Sequence, residues 1–117
     1  MSHSDLELIR HMVIETSFVV SHSSGRSKDE VVYDEVLCRA VVRSIEIIGE
    51  AAKKVQLEFK AAHPHIEWKK MAATRDVLIH DYFGVDRDIL WDIVVNKIPE
   101  LNGFLEDILD SSPEEGQ

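Results

Sequence analysis

The chain has 117 residues, 44% of them hydrophobic, a single cysteine and a formal net charge of −9. That length suits one domain around one core. One cysteine excludes an internal disulfide or a thiolate metal cluster, and the acidic balance argues against general affinity for nucleic acid, which Lys and Arg drive. No apolar run is long enough to span a membrane, and the first five residues lack the basic and apolar regions of a signal peptide. A cytoplasmic protein with no membrane partner is expected.

Ser4-Asp5-Leu6-Glu7 has the form of a capping box. Ile9, Met12, Val13, Thr16, Val19 and Val20 then keep helical spacing, which predicts a first helix to about His22. Ser23-Ser24-Gly25 reads as a loop, and Ser27-Lys28-Asp29-Glu30 as a second capping box opening a short helix through Val31 and Val32. The longest stripe follows, at Leu37, Val41, Ser44, Ile45, Ile48, Ala52 and Val55. Gly49 inside it costs about 1 kcal/mol relative to Ala. With Ala51 and Ala52 it points to a close helix crossing, a packing role. His63-Pro64-His65 is expected to end that helix, because the residue before proline avoids helical geometry. These two histidines have no further ligands at a zinc-like spacing, so no metal and no cofactor is expected there.

Trp68, Met71 and Ala72 begin the next helix, and Gly84 supplies a stop before Asp86, which has the chemistry of an N-cap. Ile89, Leu90, Ile93, Val94, Ile98, Leu101, Leu105 and Ile108 form the last helix, which Pro99 should kink or split. No strand-like alternation, repeat or glycine-rich phosphate loop is present. The expectation is all-α: an up-and-down bundle of four to five helices over residues 1–110, then a disordered acidic tail at 111–117.

Charge is unevenly spread. Residues 51–75 hold six Lys and Arg against two Glu, about +4, whereas residues 76–117 hold Arg87 and Lys97 against eleven acids, about −9. Lys69 and Lys70 belong to that local basic rim, one candidate surface for a phosphate chain. Ordinary solvated helix faces would give the same pattern.

The basic stretch runs into Arg75-Asp76-Val77-Leu78-Ile79-His80-Asp81-Tyr82. Continued as a helix, it sets Asp76 and His80 on one face, with Arg75 beside Asp76. Arginine offers a planar fork of donors that matches phosphate. Histidine exchanges a proton near neutrality. Together Arg75 and His80 could run metal-free attack of an RNA 2′-hydroxyl on its own phosphodiester. Two protons must move, and one histidine per chain serves one of them at a time. A two-fold homodimer would bring two. The plainer alternative pairs Arg75 with a surface acid and has His80 cap a helix end. Spacing alone favours that alternative.

The segments Arg43 through Lys53, Trp68, Arg75 through Tyr82, Phe83-Gly84-Val85-Asp86, Trp91-Asp92-Ile93 and Ile98-Pro99-Glu100-Leu101 together resemble the HEPN superfamily, specifically its HepT-like branch, the toxins of HepT/MntA-type toxin–antitoxin pairs. The family's signature of Arg, four residues, His, one residue, Tyr falls on Arg75, His80 and Tyr82, with Asp76 in a supporting position where Asn is common. The resemblance covers roughly residues 36–105. It implies a HEPN helical bundle that forms homodimers, with paired Arg–His motifs lining a shared cleft and cleaving RNA without metal. It also implies a partner, an MntA-like minimal nucleotidyltransferase antitoxin that transfers AMP from ATP onto Tyr82. The added nucleotide would fill the cleft and repel RNA phosphate. Two other classes compete with the toxin: a non-catalytic nucleotide-binding or adaptor subunit of a nucleotidyltransferase, and a purely structural dimer. Arg75, His80 and Tyr82 together favour the ribonuclease, since an adaptor has no evident need for the histidine.

Overall fold

Both capping boxes close as their residues require. Glu7 and Ser4 exchange backbone-to-side-chain bonds of 3.1 and 3.3 Å, and Glu30 and Ser27 do the same at 3.3 and 2.8 Å. They start α1 (Asp5–Ser23) and α2 (Lys28–Val32) in a computed structural model that describes residues 4–79 and 84–111. Each cap satisfies two amide groups that a helix start leaves unpaired, worth about 1 kcal/mol apiece. The 111–117 tail, apart from Ser111 at the end of the last helix, lies outside the described residues.

The long amphipathic stripe forms α3 (Glu35–Lys54), opened by the Asp34 carboxylate on the Leu37 amide at 2.8 Å. Cys38, Val41, Val42, Ile45, Ile48 and Ala52 are buried along it. Here the structure departs from expectation. The helix stops at Lys54, not at the His63-Pro64-His65 turn, and a separate short helix, α4 (Leu57–Ala62), stands between. The break serves a distant contact. Val55 turns extended and stays buried, and the Gln56 amide donates to the Asp5 carboxylate at the start of α1, 3.0 Å away.

α5 (Trp68–Leu78) follows the turn, with the Trp68 indole N–H donating to the His63 carbonyl at 3.0 Å. α6 (Arg87–Asp92) starts where expected, the Asp86 carboxylate accepting from the Ile89 amide at 3.0 Å. It passes through a π-helical turn at Ile93–Lys97 into α7 (Ile98–Ser111). Pro99 neither splits nor ends this run. A proline lacks the amide and crowds the carbonyl four residues back. The widened turn just before it answers that problem, with the Ile98 amide reaching back five residues to the Ile93 carbonyl.

The described residues are thus all-α, with four long helical bodies (α1, α3, α5 and the α6–α7 run) and two short connectors. α1 packs on α3 and α7, and α3 packs on α5. One buried polar tie crosses the core. Asn102 of α7 donates to the Thr16 and Ser17 hydroxyls of α1 at 2.8 and 3.1 Å, satisfying a threonine that is fully buried. No helix of the described residues is long and apolar enough to cross a membrane.

Candidate active site

A close approach of two helices sets up the site. A Cβ placed on Gly49 of α3 would lie 3.0 Å from the Met71 carbonyl oxygen of α5, so a glycine is what lets the two backbones meet. The close crossing expected from Gly49, Ala51 and Ala52 is present, and its role is packing. From that contact, one turn back along α3 reaches Glu46, and one turn forward along α5 reaches Arg75. The two side chains meet there, the Arg75 Nε donating to Glu46 Oε2 at 2.9 Å. The other Glu46 oxygen lies 3.9 Å from Nη1 of Arg43, a loose contact. Glu46 is 24% exposed and Arg75 61%.

Around this pair opens a polar cleft of about 430 Å³. Arg43, Lys53 and Arg75 supply its cations and Glu46, Glu50 and Asp76 its anions. Lys53 leans on Glu50 at 3.4 Å. The cleft is therefore balanced in charge, unlike the strongly acidic chain around it, and Arg75 is the cation in it that comes from the motif.

On the other side of α5 lies a second recess, about 410 Å³, between α3, α5 and the α6–α7 run. Its walls are apolar: Ile48, Met71, Ile93, Leu101 and Phe104 among them. Val77 on α5, half exposed at 50%, also lines it.

The expected site residues fall unequally on this frame. Arg75 and Asp76 both line the polar cleft. Lys69 is exposed in the first turn of α5, and Lys70 belongs to the apolar recess, paired with Glu67 at 2.8 Å. That pairing holds the Lys70 ammonium above, and the Glu67 carboxyl below, its ordinary range. His80 and Tyr82 lie outside the described residues. The helical continuation that would put Asp76 and His80 on one face is corrected: α5 ends at Leu78, and Ile79 is extended at φ −108°, ψ 101°. Ile79 pairs with Val85 in an isolated antiparallel bridge, and the Asp86 amide donates to the Leu78 carbonyl at 2.9 Å. The chain is thus pinned on both sides of residues 80–83. The plainer alternative for Arg75, an acidic partner, is also present in the form of Glu46.

The sequence places Arg43, Glu46 and Lys53 in one resemblance segment but gives none of them a role in the site. Glu46 stands three residues before the glycine of the crossing, so an acid one turn from a small-residue contact was the signal available.

The family model described as Ribonuclease HepT-like matches residues 6–108. The chain is 44% identical over 101 residues to a candidate RNase of Caldanaerobacter subterraneus subsp. tengcongensis, spanning 86% of this chain and 90% of the relative. It is 36% identical over 110 residues to a candidate RNase of Methanocaldococcus jannaschii, spanning 93% and 91%. A protein of Thermococcus cleftensis named probable ribonuclease HepT is 48% identical over 82 residues, spanning 66% of this chain and 74% of its own. No solved structure matches this chain. With residues 6–108 matched by the family model and a relative 44% identical over 86% of the chain, the chain belongs to the HepT-like ribonuclease family, within the HEPN superfamily.

Proposed function

We propose that the protein is the toxin of a toxin–antitoxin pair, a cytoplasmic endoribonuclease that cleaves RNA without metal. The observation that carries this reading is Arg75 in the polar cleft, on the last turn of α5 and directly before the segment that holds His80. In the reaction, the RNA 2′-oxygen attacks the adjacent phosphorus while His80 takes its proton. The bond from phosphorus to the 5′-oxygen breaks, and that oxygen gains a proton from the second histidine. The products are a 2′,3′-cyclic phosphate and a 5′-hydroxyl. Arg75 steadies charge on the phosphoryl oxygens, the electrostatic work that a metal ion does in other nucleases.

Supplying two histidines takes a homodimer. The apolar recess beside α5 supports one, because it offers a greasy surface next to the motif helix that a second copy could cover. The antitoxin in this reading is a minimal nucleotidyltransferase. Tyr82 Oη attacks the α-phosphorus of ATP, pyrophosphate leaves, and the bound AMP fills the cleft and repels RNA. Lys69 and Lys70 serve as an outer basic rim, and Asp76 supports the Arg–His pair.

Induced expression of the wild-type chain should arrest growth and degrade RNA, and co-expression with an MntA-like minimal nucleotidyltransferase should restore growth and protect RNA. Arg75→Ala and His80→Ala should be harmless while staying folded. Wild-type growth arrest from either variant would remove that residue from the site.

A further inference from the structure

An arginine that must meet a phosphate in one orientation has a long, freely rotating stem, so something has to hold its head. Here the holder is visible. Glu46 takes the Arg75 Nε at 2.9 Å, and no described residue bonds to the two terminal nitrogens of Arg75. Those two Nη groups form an edge of the fork that can span two phosphoryl oxygens. Glu46 is itself held. It projects from α3 beside a close helix crossing, where Gly49 brings the backbones of α3 and α5 together. Both carboxylate oxygens have a cationic neighbour, Arg75 at one and Arg43, more distantly, at the other.

We infer that Glu46 is a positioning residue for RNA cleavage: it anchors Arg75 through Nε and so presents the Nη edge to the scissile phosphodiester. The inference rests on the reading of Arg75 as the phosphate-binding group. Its chemistry is specific about what Glu46 must supply. An oxygen at the right reach is needed, and a full negative charge is not, since charge near the phosphate opposes substrate binding. A misdirected guanidinium lowers the turnover step more than the affinity, because RNA binding also draws on the remaining cations of the cleft.

The test is steady-state cleavage of a short RNA by the purified full chain carrying substitutions at Glu46, alone and combined with Arg75→Ala. Glu46→Gln keeps an oxygen at the same reach, and kcat should stay within about threefold of wild type. Glu46→Asp keeps the charge but loses one methylene of reach, and Glu46→Ala loses both. Each should lower kcat about 10- to 100-fold, the scale expected for misplacement by about an ångström, with little change in KM. In the Arg75→Ala background, Glu46→Ala should add no further loss, as coupled residues require. If Glu46→Ala does not fold, the contrast between Gln and Asp decides alone. Undiminished cleavage by Glu46→Asp, or a Gln variant as slow as the Asp variant, would overturn the inference, as would a further loss in the Arg75→Ala background. Should Arg75→Ala itself cleave like wild type, the reading of Arg75 fails first, and that result is distinct from a failure confined to Glu46.

Discussion

The two recesses on either side of α5 are nearly equal in volume, about 430 and 410 Å³, and opposite in character. One is walled by arginine, lysine and carboxylates, the other by isoleucine, leucine, methionine and phenylalanine. Ile45 of α3 lines both, so the division runs along a single pair of crossed helices. The polar side holds Arg75 against the Glu46 carboxylate, and on the proposed reading the apolar side is the surface that receives a second copy of the chain. On that reading, chemistry and assembly would share one α3–α5 contact, the crossing at Gly49.

The largest effect should come from the polar side. Arg75→Ala should reduce RNA cleavage by about 10²–10³-fold, the usual scale for losing a preorganised charge donor. Arg75→Lys should also be impaired, because an ammonium lacks the fork. Replacing Lys69 and Lys70 together should cost far less, since neither lines that cleft. If the lysine pair mattered as much as Arg75 in cleavage assays, the polar cleft would not be where RNA is held.

Breaking the apolar side should leave the fold intact and disturb assembly. Val77→Asp places a charge at a half-exposed position of the apolar recess, so it should change thermal stability by no more than about 0.5 kcal/mol. It should weaken self-association at least about tenfold by sedimentation, since a buried unpaired charge costs several kcal/mol. Unchanged self-association would move the interface elsewhere.

Gly49→Val tests the link between the two sides. Its side chain would press on the Met71 carbonyl, and overpacking of this kind costs about 1–3 kcal/mol. Chemical denaturation should show that loss, and cleavage should fall with it because Glu46 and Arg75 are displaced together. A variant as stable and active as wild type would mean that the crossing is looser than drawn.

Tyr82→Phe should have the smallest effect on cleavage, none measurable, because a phenol with a pKa near 10 is a poor proton shuttle at neutral pH. On the proposed reading, its effect is on control. If the proposed antitoxin reading holds, mass spectrometry should find added AMP on the peptide containing Tyr82 when the wild type is co-expressed with an MntA-like nucleotidyltransferase. The Phe variant should escape neutralisation.

Local signals in the sequence carried much of this architecture. The Ser4 and Ser27 capping boxes, the α3 stripe, the glycine at the crossing and the Asp86 cap are each written within a few neighbouring residues, and each formed. What was not legible depended on distant partners. The break after Lys54 follows from the Asp5 carboxylate, 51 residues away along the chain, holding the Gln56 amide. The early end of α5 follows from the pairing of Ile79 with Val85 and the full burial of Leu78. The Glu46–Arg75 pair joins residues 29 apart, and only the helix crossing reveals it. The motif picks out Arg75 and Asp76, which both line the polar cleft, whereas nothing in it picks out the carboxylate that holds Arg75.

Metal-free cleavage through Arg75 and His80, as proposed, is tested most directly by the products of RNA incubated with purified wild-type protein in excess EDTA. The fragments should end in 2′,3′-cyclic phosphate and begin with 5′-hydroxyl, at a rate unchanged by the chelator and reduced about 10²–10³-fold in Arg75→Ala, with His80→Ala also strongly impaired. Cleavage that disappears in EDTA and returns with magnesium, or fragments ending in a 3′-hydroxyl, would contradict it.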